Sequence, residues 1–168
     1  MSYLAEISQI QNYVHNVDTD NFTKQVVSIT VVGYNGTEVT YTPAANASKV
    51  VYECHFQTSW DPDPYANYHS VRLQYSTNGG SSWTDIPGTQ MTEGNWSGAQ
   101  DYLWYQFSYV HILDTWSGER KLRLAGKTVD TYNEFTIGRS YNTIPSSGEG
   151  PPACPHVSIY SVMPWLII

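Results

Sequence analysis

Charge is what this chain has least of. Lys, Arg, Asp and Glu together make up 14% of its 168 residues, against about 25% in an ordinary soluble domain. Solubility therefore falls to Ser, Thr, Asn, Gln and Tyr. Positive charge is scarcer still, with eight Lys and Arg facing fifteen Asp and Glu for a formal charge of -7. No basic cluster exceeds Arg120-Lys121, which argues against a nucleic-acid partner, because neutralising several phosphates needs concentrated positive charge. Long apolar runs are missing too. No stretch approaches the ~20 residues of a membrane span, and the N-terminus has no basic region leading into an apolar one, so neither membrane insertion nor signal-directed secretion is expected.

Cysteine is nearly absent. Cys54 and Cys154 have no CxxC spacing, and a bond between them would close a loop worth about 4.7 kcal/mol in the simple chain-entropy view. Cys54 falls on the apolar side of a strand pattern, however, and a buried free thiol is the expectation.

Catalytic signatures are lacking as well. There is no nucleophile elbow, P-loop or dinucleotide fingerprint. His55, His69, His111 and His156, with Asp61 and Asp63, show no zinc-type spacing. Asp61-Pro62-Asp63 has the oxygen density of a calcium loop without its full pattern. Scattered carboxylates offer no selectable glycosidase pair. The sequons at Asn21, Asn35, Asn46 and Asn95 fit a loop composition rich in Asn, Ser and Thr. The chain thus reads as a non-enzyme, with no catalytic residue, cofactor or metal expected.

What is abundant is aromatic surface: fourteen Tyr, six Trp and four Phe. Such side chains are favoured in sheets and at interfaces. From Lys24 onward, period-two alternation and turn signals dominate. Val27, Ile29 and Val31 suggest one strand face, and Asn35-Gly36 marks a turn before Glu38 to Thr42. In the stretch from Lys49 to Gln57, Val50, Tyr52, Cys54 and Phe56 face one way, and Lys49, Glu53, His55 and Gln57 the other. Val71, Leu73 and Tyr75 mark the first arm of a hairpin whose return arm follows Thr77-Asn78-Gly79-Gly80.

The stretch from Leu103 to Leu113 is apolar on both faces: Leu103, Tyr105, Phe107 and Tyr109 oppose Trp104, Val110 and Ile112. Such a strand sits centrally or is covered by another subunit. Leu122 and Leu124 define a short strand, Phe135 and Ile137 another, and a closing strand from Val157 ends on the apolar tail Trp165 to Ile168. Eight or nine strands in one unit predict an all-β fold, an antiparallel two-sheet, jelly-roll-like sandwich over residues 23–168.

Residues 1–22 read differently. Tyr3, Ile7, Ile10, Val14 and Val17 recur at intervals of four and three, the seam of a short helix or assembly arm. A helix of this length is marginal alone. It would dock on its own domain, self-associate, or reach a neighbouring subunit. In the connections, Trp60, Tyr65, Tyr68 and Trp96 are candidates for a shallow recognition surface for a host glycan or protein.

Two resemblances add to this reading. Ser76-Thr77-Asn78-Gly79-Gly80-Ser81-Ser82-Trp83 resembles the Asp-box of sialidases and related β-propellers, with Asn78 in the usual Asp position. That motif is a structural hairpin repeated around several blades; here it occurs once. Separately, YTPAANASKVVYECHF, VRLQYSTNGGSSW and the ending PHVSIYSVMPWLII resemble compact β domains in virion proteins of tailed bacteriophages, from about Tyr41 to Ile168. This second resemblance implies a trimeric jelly roll at the virion surface, assembled in the host cytoplasm. Its role would be capsid decoration, in contact with the major capsid protein, or the receptor-binding knob of a tail fibre. A carbohydrate-binding module is the further alternative.

Overall fold

Most of the period-two stretches become strand. The computed structural model describes residues 10–17, 25–60, 67–95, 103–128, 135–137 and 154–164. In chain order its strands are β1 (Ile10–Asn16), β2 (Gln25–Val27), β3 (Val32–Gly33), β4 (Val39–Tyr41), β5 (Lys49–Trp60) and β6 (Asn67–Ser76). There follow β7 (Thr84–Asp85), β8 (Met91–Asn95), β9 (Leu103–Asp114), β10 (Arg120–Thr128), β11 (Phe135–Ile137) and β12 (His156–Val162). The first sheet runs β1-β12-β5-β11-β2, with β9 also on β5; the second runs β3-β10-β6-β7, with β4 on β10 and β8 on β6. Every pairing is antiparallel. The fold is an all-β, two-sheet antiparallel sandwich of jelly-roll-like architecture.

β5 organises the first sheet. β9 runs beside β5 from Lys49↔Asp114 to Trp60↔Leu103. On the opposite side, β12 takes the first part of β5 and β11 the last three residues. Val50, Tyr52, Cys54 and Phe56 turn inward, as their alternation predicts, and meet Val71, Leu73, Leu122 and Leu124 of the second sheet in one buried cluster. Both cysteines are free, with Cys54 buried.

Thr37 shows how a buried polar side chain is tied into this core, where an unpaired one would cost about 1–3 kcal/mol. Thr37 is fully buried: its Oγ1 donates to the Tyr34 carbonyl at 2.7 Å and accepts from the Leu124 amide at 3.1 Å. Its carbonyl accepts the Tyr52 hydroxyl at 2.7 Å.

The hairpin from β6 to β7 forms as its turn residues predict. Gly79 and Gly80 have φ of 71° and 96°, values open to glycine. Asn78 Oδ1 accepts from Ser76 Oγ at 2.8 Å and from the Ser82 amide at 3.0 Å, and the Arg123 guanidinium lies 3.9 Å over Trp83. The Asp-box-like segment is therefore a self-contained structural turn.

Two expectations need correction. Ile10–Asn16 is not helical: it is an edge strand on β12. A register shift between Gln11 and Val14, with Asn12 at φ 50°, lets Ile10 lie outside while Val14 turns to the core. Pairing with β12 and packing of Val14 on the core supply tertiary support that a short lone helix lacks. Of Val27, Ile29 and Val31, only Val27 is buried, because the strand ends there. Asn35-Gly36 does form the expected turn, with Gly36 at φ 74°, and the β3 and β4 strands on either side of it pair in succession with β10. Tyr3 and Ile7, the boundary at residue 22 and the tail from Trp165 to Ile168 lie outside the described residues.

Candidate functional site

The inward half of each strand is consumed by the core, so function falls to the outward half. On the first sheet that half is laid out in rows, because directly opposed residues of antiparallel strands share a face. One row crosses the sheet as Ile112, Val51 and Tyr160, and Tyr13 stacks on Tyr160 at 6.1 Å between ring centroids. The next row is Val110, Glu53, Ser158 and His15. A third is Ser108, His55 and His156. The face thus grades from apolar to imidazole-rich.

The apolar end is open. Val110 and Ile112 are 56% and 64% exposed, and Tyr13 is 59% exposed. Among the described residues β9 pairs only with β5, so its other edge is unpaired over twelve residues. Among the described residues β9 is thus an edge strand and not a central one. Long edges are usually blunted by Lys, Pro or bulges, and the only charge within β9 is Asp114 at its end, held at 2.5 Å by Lys49.

The imidazole end borders a groove of about 520 Å³ lined by His15, His55, Gln57, Gln106, Cys154 and His156. His15 Nδ1 lies 3.0 Å from Ser158 Oγ, and His55 Nδ1 lies 2.9 Å from Ser108 Oγ. The Tyr160 hydroxyl donates to Glu53 Oε1 at 3.0 Å. As the side chains stand, no group of three His, Cys, Asp or Glu among the described residues is arranged to hold a metal ion. A second cleft, of about 420 Å³, is lined by Tyr75, Ile86, His111, Trp116 and Arg120. Arg120 closes on its aromatic walls, lying 4.5 Å over Tyr75 and 5.1 Å over Trp116, which makes this a structural cation–π clamp.

The residues singled out for recognition are only partly placed. Trp60 ends β5, and Tyr68 lies in β6 opposite Gly94. Tyr65 and Trp96 lie outside the described residues. The backbone does bring their flanks together: Trp60 pairs with Leu103 and Phe135, and Asn67 with Asn95. The connections 61–66 and 96–102 therefore start and finish on paired strands. Of the assembly seam, Ile10 is on the outer face, Val14 packs on the core and Val17 is half-buried. The Tyr13, His15, His156 and Tyr160 group went unnoticed in the sequence. Its members are 147 residues apart at the extremes, and only the β1 to β12 pairing makes them neighbours.

No helix among the described residues is long and apolar enough to cross a membrane. No protein-family model and no curated protein matches the chain. Among solved structures, Eiger TNF from S. frugiperda aligns at 10% identity and a TM-score of 0.36, covering 86% of this chain and 96% of that one. TmCBM61 in complex with beta-1,4-galactotriose aligns at 11% identity and a TM-score of 0.19, covering 95% and 93%. Likeness at this level carries nothing about function, and the architecture stands on the strand pairing alone: a jelly-roll-like sandwich compatible with a structural or binding role.

Proposed function

We propose that this chain is an oligomeric structural module of a tailed-bacteriophage particle, decorating or reinforcing the capsid as a homotrimer whose outer faces are shared between copies. The supporting observation is the apolar row Ile112, Val51, Tyr160 and Tyr13 beside the unpaired edge of β9. A chain carrying -7 repels its own copies. That row is where copies approach with least repulsion. Burial contributes ~25 cal/mol per Å² of apolar surface before association costs are subtracted. An N-terminal arm ahead of β1, with Tyr3 and Ile7, adds contacts to neighbouring capsid subunits, and several modest contacts become effectively intramolecular once the first engages.

Localisation and copy counting in intact particles test this reading. Hundreds of copies spread over the shell are expected; a few confined to the tail sink it. The second reading, a receptor-binding fibre knob that recognises a host glycan or protein, is supported by the adjacent strand ends at Trp60, Asn67, Asn95 and Leu103. Glycan-array and host-cell binding by the assembled protein, abolished by Trp96→Ala, would favour the knob.

A further inference from the structure

The cleft of about 420 Å³ walled by Tyr75, Trp116 and Arg120 holds hydrogen-bond donors that lack acceptors. We propose that it binds an acidic sugar, a hexuronate ring whose carboxylate is gripped by Arg120. The proposal rests on neither the capsid nor the knob reading.

Position comes first. Tyr75 and Leu122 belong to the second sheet, His111 and Leu113 to the first, so the cleft opens between the sheets where β9 ends and β10 begins. Small-molecule sites are typically concave and largely apolar, with a few placed polar groups that fix orientation. Ile86 and Pro87 supply apolar wall for the C–H face of a sugar ring.

The placed polar group is Arg120. Its guanidinium carbon lies 4.5 Å from the Tyr75 ring centroid and 5.1 Å from that of Trp116. Those contacts use its charge and leave its N–H donors unspent: among the described residues its side chain makes no hydrogen bond and no ion pair. An arginine held between two rings is a preset fork for a carboxylate, which it takes through two parallel N–H···O bonds. Asp114, the carboxylate that lines the cleft, is already engaged by Lys49.

Trp116 supplies a second, independent observation. Its indole Nε1 is buried and has no partner, a state that native structures seldom leave unanswered. The residue as a whole is only half-buried, and a small turn of the ring carries the N–H into the cleft, where a ligand oxygen accepts it. On the opposite wall, burial lowers the His111 imidazole. It is uncharged at neutral pH, with one ring nitrogen to donate and one to accept from a sugar hydroxyl. A lone cation in a chain of charge -7 suits a monoanion better than a phosphate dianion. With one ion pair at an open rim, affinity is roughly millimolar.

Proton–nitrogen correlation NMR of the full chain, titrated with sodium glucuronate at about pH 7, tests the site. The Trp116 indole N–H, identified by the peak missing from Trp116→Phe, should shift saturably, while glucose, glucuronamide and sodium acetate shift it little. Arg120→Gln should weaken binding ~10-fold or more, and Arg120→Lys, which keeps the charge without the fork, should recover only part of it. The same spectra report whether each variant is folded. Methyl glucuronide, which mimics the end of a glycan, should bind as the free acid does; binding of the free acid alone would restrict the ligand to an unlinked uronate. Absence of a saturable shift overturns the proposal, as does undiminished binding in folded Arg120→Gln. Should that variant not fold, the wild-type protein decides: glucuronamide or glucose binding as well as glucuronate overturns it.

Discussion

Cys54 and Cys154 show how much a residue's surroundings decide its chemistry. Burial pushes the Cys54 thiol up to about 12, while Cys154 is half-exposed. Since the thiolate is the reacting species, a thiol reagent at neutral pH should label Cys154 quickly and Cys54 only after denaturation; two fast thiols would contradict the buried placement. His69 makes the matching case for a base. Burial pushes its imidazole down from 6.5 to about 4, so between those values the unfolded chain holds a proton that the folded one refuses. Its contribution to stability is complete above about pH 6.5 and lost as pH falls toward about 4, by ~3 kcal/mol at most. Urea midpoints between about pH 7 and about pH 4.5 should fall, and His69→Phe, beside Phe107, should flatten the dependence. Gly126 is constrained by space. A Cβ there would run into the Tyr34 hydroxyl and the Ser70 carbonyl. Gly126→Ala should destabilise by about 1–3 kcal/mol in the same urea assay.

At the scale of elements, the sequence was legible where one face is buried and one is wet. β5 follows its alternation from Val50 to Phe56, Leu122 and Leu124 of β10 turn inward as read, and the β6 to β7 hairpin forms where its turn residues place it. β1 defeated it. Ile10, Val14 and Val17 repeat at helical intervals, but the bulge at Asn12 splits Ile10 from Val14 across two faces. An extra residue in one strand is invisible to a period count. β9 was half legible: its two apolar faces were clear, its edge position was not, since pairing order is set by distant strands. Its exposed pair gives a direct test. Ile112→Lys should leave stability within about 0.5 kcal/mol while shifting light-scattering mass toward monomer, because a lysine on an edge strand opposes pairing. An unchanged oligomer would place the contact elsewhere.

Across the whole molecule, fold class followed from strand texture, whereas the site did not. Recognition residues were sought in loops because aromatic side chains there attract attention. The face that assembles most chemistry instead draws on β1, β5, β9 and β12, and no local motif records that convergence. The arrangement has a mechanical side. β1 begins where β12 ends, with Ile10 opposite Val162. A pull through those two residues acts on the ladder from its open end and separates the strands rung by rung, like a zipper. Single-molecule stretching through these positions should release β1 first, at low force, before the rest of the sandwich yields. A domain strung through both points in a load-bearing fibre would open at that seam, whereas an appendage held by one end never feels the load.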